Sequence, residues 1–398
     1  MTDRPASGTT DPGAPAPTPA TGRVVLFGAT GYTGRLAAQS MVRDGVRPVL
    51  AGRDPERLTA LAAALGGVGG PLEHRTADVH DAASVAALVG AGDVLVTTVG
   101  PFARWGAPAV EAAVATGAHY VDSTGEGAFV RRVFEEYGPR AEAAGTVLLT
   151  AFGYDYVPGN LAAGIALERA GAGGSQGVDV GYFLTGPARG AMSGGTRASA
   201  LGVVTGPSYG FDGGELVDRR AGAEMFTLPA GGRSRPVVSI GATEQFTLPR
   251  LDPGLRRVRV GLGWFGPVTP VLRGAAGAIA VMDAVPGVRT AAGRLGRAVA
   301  GRLPGGSTGG PDAATRARTG SLVVALTDPA ADGAAPVRVE LVGPNGYTLT
   351  GDLLAWAARS LSSGAAISRA GALGPVDAFG LPVLRDACAA MGLRERSA

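Results

Sequence analysis

The stretch VVLFGATGYTGRLAA, residues 24–38, decides the fold of this chain. A short apolar run of strand character breaks at Gly28, Gly31 and Gly34, and the chain then resumes with helix formers. Glycines at this spacing after a buried strand suit a phosphate-binding turn. A backbone without Cβ atoms lets a pyrophosphate approach the free N–H groups that open the next helix. The competing reading is a chance triplet, since the chain holds 66 Gly. The surrounding sequence separates the two.

From 23 to 151, β-rich runs alternate with helical patterns. The strand candidates are RVVLFG (23–28), RPVLAG (47–52), LEHRTAD (72–78), DVLVTTVG (93–100), AHYVD (118–122) and TVLLTA (146–151). The helical stretch after the second strand opens with Asp54 as N-cap and Pro55 at the first helical position, and it closes on Gly66. Strict β/α alternation of this length implies a parallel sheet covered on both faces, a doubly wound Rossmann domain. In that context the glycine turn is a dinucleotide site, with Gly28, Thr30, Gly31, Tyr32, Thr33 and Gly34 lining it.

The end of the second strand selects the dinucleotide. An acidic residue about 20 positions past the glycines normally binds the ribose hydroxyls. Here Arg53 stands nineteen positions after Gly34. A guanidinium at that place binds a 2′-phosphate through paired hydrogen bonds, so the expected cofactor is NADP(H). The alternative is a solvated Arg53 with Asp54 on the ribose. Asp78, ending the third strand, is expected near the adenine. Thr98, Val99, Gly100 and Pro101 are expected to pass beside the cofactor at the switch point of the sheet.

After about residue 175 the pattern changes. VDVGYFLTG, GELVDRRAGAEMFTL, RPVVSIGATEQFTLP, RRVRVGLGWFG, SLVVALTD and VRVELVGPNGYTLTG read as strands, which suits a second α+β domain with a mixed or antiparallel sheet. Helices are expected over 192–204, 271–303, 352–362 and 381–391, and a loop over 304–320. The expected organisation is a disordered tail over 1–22, a Rossmann domain over 23–160 and a substrate domain over 161–351. Helices over 352–398 are expected to return towards the Rossmann domain.

Composition excludes several chemistries. All basic side chains are arginine, because the sequence contains no lysine. Schiff-base chemistry, a lysine general base and a P-loop are therefore ruled out. One cysteine and three histidines without HExxH-like spacing give no expectation of a metal site. A net charge of +3 with no basic run argues against nucleic acid. The start lacks the apolar core of a signal peptide, and no uncharged apolar run reaches membrane-spanning length, so a cytoplasmic protein is expected.

The segments TVGPFARWGAPAVEAAVATGAHYVDSTGE (98–126), AFGYDYVPGNLAAG (151–164), MSGGTRASAL (192–201) and GPNGYTLTGDLL (343–354) resemble the saccharopine dehydrogenase-like oxidoreductases. Within them the nearest branch is the trans-acting enoyl reductases, which reduce double bonds on polyketide-derived lipid intermediates. The resemblance implies an NADPH-dependent reductase acting on an enoyl group of a small-molecule or carrier-linked acyl substrate. Another reductase of the family, acting on an imine or carbonyl, and a non-catalytic NADP(H) sensor remain as alternatives. The missing lysine sets saccharopine chemistry itself aside.

An enoyl reduction needs a proton donor beside the nicotinamide. Tyr154, Asp155, Tyr156 and Asn160, directly after the sixth strand, are candidates, the alternative for the tyrosines being interface packing with satisfied hydroxyls. Asp122, ending the fifth strand, is either an acid or a structural carboxylate. Ser193, Gly194, Gly195 and Thr196 suit a carbonyl-binding turn or an ordinary helix cap, and Asn345-Gly346-Tyr347 a functional loop or a plain turn. Arg289, Arg294, Arg297 and Arg302, spaced among Ala, Leu and Val, suit a substrate mouth touching a membrane surface or a carrier protein. An ordinary amphipathic helix is the other reading of that segment. A homodimer is compatible with all of this.

Overall fold

A computed structural model of the protein describes residues 22–187, 193, 207–264, 309–364, 367 and 369–396. β1 (Val24–Phe27) is followed by α1 (Tyr32–Arg43), β2 (Val49–Gly52) by α2 (Pro55–Gly66), and β3 (His74–Thr76) by α3 (Ala82–Ala86). β4 (Val94–Thr97) leads into α4 (Phe102–Trp105) and α5 (Ala107–Thr116). After β5 (His119–Asp122) come α6 (Gly127–Arg132), a π-helical turn and α7 (Gly138–Ala143), then β6 (Val147–Leu149) and α8 (Val157–Ala170). The remainder begins with β7 (Ser175–Thr185), β8 (Pro207–Asp212), β9 (Glu215–Arg220), β10 (Met225–Ala230) and β11 (Arg233–Ile240). α9 (Glu244–Leu251), β12 (Arg257–Leu262), α10 (Ala313–Arg318), β13 (Gly320–Pro329) and β14 (Arg338–Gly343) follow. The last elements are α11 (Gly346–Ser362), β15 (Gly371–Ala372), α12 (Pro375–Phe379), α13 (Leu381–Ala390) and β16 (Arg394–Glu395).

The first sheet has seven strands in the order β15-β6-β5-β4-β1-β2-β3, and every pairing in it is parallel. β1, β2 and β4 are buried along their whole length, as a sheet covered by helices on both faces requires. The chain winds outward from β1 through β2 to β3, then returns to β1's other side with β4. A crevice therefore opens between β1 and β4 at the carboxyl ends of the strands. The second sheet is mixed: β12 pairs with β7 in parallel, the other pairings are antiparallel, and its main path runs β10-β11-β12-β7-β13-β14-β16. One continuous buried apolar cluster reaches from Leu26 in β1 to Leu341 in β14 and Leu353 in α11.

Three sequence expectations need correction. EQFTLP, read as a continuing strand, is the helix α9. Its alternation of Phe246 and Leu248 is overridden by Gln245, whose side chain accepts from the Ala242 N–H and donates to the Ile240 carbonyl, closing the strand. GYTLTG, also read as strand, opens α11, because the Asn345 side chain accepts from the Tyr347 N–H and caps the helix. The loop expected over 304–320 contains α10, capped by Asp312 at the Thr315 N–H. The helices expected over 192–204 and 271–303 lie outside the described residues, apart from Ser193, as does nearly all of the tail.

α11 lies on α1, the helix that follows the glycine turn. The Ser40 hydroxyl donates to Asp352 at 2.7 Å, and Arg43 pairs with the same carboxylate at 3.0 Å. A Cβ at Gly351 would stand only 3.1 Å from the Leu36 backbone, so the backbones of the two helices approach closely there.

Candidate cofactor-binding and active site

The three glycines do three different things. Gly28, at φ +87°, turns the chain out of β1, and its carbonyl accepts from the Gly31 N–H at 3.0 Å and the Thr98 hydroxyl at 3.1 Å. A Cβ at Gly34 would stand 2.2 Å from the Gly28 carbonyl oxygen and 2.9 Å from Ala29 Cα, so this glycine sets how closely α1 meets the strand. A Cβ at Gly31 would meet only the Gly28 oxygen, at 3.2 Å, and otherwise open space. Gly31 is the extended N-cap of α1. As N-cap it adjoins the first-turn amides, which have no carbonyl partner within the helix. This cradle fits a dinucleotide pyrophosphate: donors, no acidic side chain in the first turn of α1, and room that a side chain would fill.

At the end of β2, the Asp54 carboxylate accepts from the Arg57 N–H at 3.0 Å and pairs with the Arg57 guanidinium at 3.3 Å. That engagement caps α2. Arg53 beside it is exposed, with no ion pair or side-chain hydrogen bond among the described residues. Asp78 ends the next crossing and accepts from the His80 N–H at 2.9 Å. His80 meets the Trp105 ring edge-on at 4.6 Å between centroids, and Arg104 lies over the same ring at 4.3 Å. Sequence reasoning missed this aromatic and cationic group. Pro101 is the N-cap residue of α4, and the Glu126 carboxylate accepts from the Phe102 and Ala103 N–H groups at 2.9 and 3.0 Å.

Asp122 is fully buried. Its Oδ1 accepts from the Thr124 and Ala151 N–H groups at 2.8 and 2.9 Å, and its Oδ2 from the Thr150 hydroxyl at 2.7 Å. Burial pushes its pKa up to about 6, against the pull of those donors. The carboxylate ties the ends of β5 and β6 together and holds Ala151 at φ +55°, a left-handed conformation that costs an alanine about 1 kcal/mol.

Tyr154 and Tyr156 are buried where the sheets meet. The Tyr154 hydroxyl donates to the Phe183 carbonyl at 3.0 Å and that of Tyr156 to the Gly125 carbonyl at 2.9 Å. Both rings stand edge-on to Tyr182, and burial holds both hydroxyls well above the usual tyrosine pKa. Between them, Asp155 differs. Its Oδ1 is buried and has no hydrogen-bond partner among the described residues, and its Oδ2 would lie 3.3 Å from a Cβ at Gly125. Burial pushes its pKa up to about 7. The carboxyl thus lies over the loop after β5, the loop whose Glu126 side chain accepts from the amides that open α4.

Behind it runs a buried polar network. Asn160 donates to the Tyr156 carbonyl at 2.8 Å and to Thr243 at 2.9 Å, and accepts from Thr247 at 2.5 Å. Glu244, fully buried, accepts from the Tyr182 hydroxyl at 2.5 Å. Burial pushes its pKa up to about 8. Asn345 caps α11 and donates to the Thr319 hydroxyl at 2.7 Å, so it is a turn anchor. Ser193 donates its N–H to the Tyr347 hydroxyl at 2.7 Å, whereas Gly194, Gly195, Thr196 and the arginine-bearing segment 271–303 lie outside the described residues. A cavity of about 260 Å³ lined by His119, Gly145, Val147 and Leu361 opens at the starts of β5 and β6, the far end from this crevice. Among the described residues no helix is long and apolar enough to cross a membrane.

Comparison with known proteins follows the same division. Residues 24–149 match the family model described as the saccharopine dehydrogenase NADP binding domain. A Mycobacterium tuberculosis protein provisionally assigned as a trans-acting enoyl reductase is 36% identical over 184 residues, 46% of this chain and 44% of that protein. The trans-acting enoyl reductase of Mycobacterium leprae is 38% identical over 140 residues, 35% of this chain and 34% of its own. The matched stretches thus span less than half the length of these curated relatives. Among solved structures, the apo saccharopine dehydrogenase (L-Glu forming) of Saccharomyces cerevisiae covers 95% of this chain and all of its own. The TM-score is 0.59 at 13% identity, a shared fold.

Proposed function

We propose that this chain, whose residues 24–149 match the saccharopine dehydrogenase NADP binding domain, is an NADPH-dependent reductase of an enoyl double bond on a lipid or polyketide-type acyl substrate. The observation that carries the proposal is Asp155, a protonatable carboxyl with an unpartnered oxygen beside the crevice of a Rossmann sheet. Bound NADPH supplies a hydride for the β-carbon, and the chain must add a proton at the α-carbon. Asp155, with a pKa near 7, is protonated often enough at neutral pH to give that proton and basic enough to regain it from water. One NADPH and one proton enter, and the saturated acyl group and NADP⁺ leave.

In this reading the hydroxyls of Tyr154 and Tyr156 are committed to backbone carbonyls and hold the 151–156 turn, while Asp122 fixes its base. The names of the relatives support an enoyl substrate over an imine or ketone. The test is NADPH oxidation with an α,β-unsaturated acyl thioester, set against a ketone and an imine of matched chain length. Turnover confined to the ketone or imine, or no turnover with any of the three, refutes the proposal.

A further inference from the structure

We infer that Arg316 is a ligand of the cofactor's pyrophosphate, delivered to the glycine turn from the far side of the chain. The inference rests on NADP(H) binding at residues 24–149 and adds a residue 284 positions away from that turn. Tyr32 is the first residue of α1, directly after Gly31. Its hydroxyl donates to the Pro311 carbonyl at 2.5 Å and accepts from Arg316 Nη1 at 3.1 Å. The same Nη1 donates to the Pro311 carbonyl at 2.9 Å. A Cβ at Gly310 would stand 2.6 Å from the Tyr32 ring, so the 310–311 backbone lies flush on it, and the Tyr347 ring meets Tyr32 edge-on at 5.2 Å. The guanidinium is therefore held in place beside the residue that opens the phosphate-binding helix.

What it lacks among the described residues is an ion pair. Arg316 is half-buried and makes no salt bridge among the described residues, its two acceptors being neutral oxygens. Asp312, the N-cap of α10, is engaged at the Thr315 N–H and feels the Arg316 charge without forming a salt bridge to it. A cation fixed near the positive end of α1 adds to the same field, an arrangement that favours a phosphate between them. The pyrophosphate is the part of the cofactor that the glycine cradle itself receives. Arg53, at the end of β2, is the residue expected at the 2′-phosphate.

The two arginines then have separable signatures. NADPH, NADH and adenosine 2′-monophosphate are titrated by calorimetry into wild type, Arg316→Ala, Arg316→Gln and Arg53→Ala. Arg316→Ala and Arg316→Gln are expected to weaken NADPH and NADH alike, by about tenfold, and to leave adenosine 2′-monophosphate unchanged. Arg53→Ala is expected to weaken NADPH and adenosine 2′-monophosphate and to spare NADH. Tyr32→Phe, which removes one of the two acceptors that hold the guanidinium but keeps the ring, should give a smaller loss for both dinucleotides. Equal affinity of wild type and both Arg316 variants overturns the inference, and so does a loss confined to NADPH. Failure of the wild type to bind any dinucleotide refutes the cofactor reading instead. Melting of the unliganded variants at the wild-type temperature confirms that an affinity loss is local.

Discussion

Replacing Gly31 and Gly34 separately should break two different things. At Gly34 a methyl would lie 2.2 Å from the Gly28 carbonyl oxygen and 2.9 Å from Ala29 Cα, both backbone atoms that cannot rotate away. α1 must withdraw by about 1 Å, and overpacking of this kind costs about 1–3 kcal/mol. For a unit the size of the first sheet and its helices, each kcal/mol corresponds to about 2–4 °C in melting temperature. Gly34→Ala should therefore lower the melting point by several degrees with no ligand present. At Gly31 the backbone is extended, which valine adopts readily, and the new Cβ meets one oxygen at 3.2 Å. Gly31→Val should leave the unliganded melting point almost unchanged while its branches fill the space a pyrophosphate needs. The assay is thermal melting with and without NADPH. At a ligand concentration a hundred times Kd, binding stabilises the wild type by about 2.7 kcal/mol. That shift should vanish in Gly31→Val and persist, from a lower baseline, in Gly34→Ala. A full NADPH shift in Gly31→Val would refute the assignment of the turn as the phosphate site.

Other outcomes follow from the charges. Arg53→Ala should cut NADPH affinity by at least about tenfold, or 1.5–3 kcal/mol for a charge-assisted pair, and bring it down to that for NADH. If Asp155 is the proton donor, kcat should fall as pH rises through about 7, because the protonated form is lost there. Asp155→Asn should remove that alkaline limb and most of kcat while leaving NADPH affinity intact, as titration calorimetry would check. Glu244, raised from its ordinary 4.5 to about 8 by burial, binds a proton in the folded chain that the unfolded chain has already lost between those values. Its contribution to stability is thus present at low pH and disappears as pH rises through 8. Glu244→Gln keeps an acceptor for the Tyr182 hydroxyl and should melt at a higher temperature than wild type at pH 9. An identical decline in both proteins from pH 6 to 9 would count against it.

The first sheet was legible because its signals are local. Apolar runs of four, the Asp54-Pro55 helix start and the glycine spacing each act within a few residues, and the parallel sheet follows from their alternation. EQFTLP failed because a period of two in a short apolar stretch cannot be told from one helical turn when the deciding contact is a glutamine closing the strand before it. The site divides the same way. Arg53 and the glycines show in the sequence. Tyr154, Asp155 and Tyr156 stand together in the sequence, and only three-dimensional neighbours reveal that the two hydroxyls have partners while one Asp155 oxygen has none among the described residues. Arg316 carried no signal at all, because the partner that gives it meaning lies 284 residues away.

The packing of α11 on α1 bears on how the protein is made. Ser40 and Asp352, which bond across those helices, are separated by 312 positions. At a synthesis rate of about 5–20 residues per second, α1 waits on the order of 15–60 s on the ribosome before its covering helix has been translated. Through that interval the glycine turn sits on a helix with one unprotected face. The nascent chain is then most open to chaperones, and the nucleotide site is assembled among the last parts of the molecule.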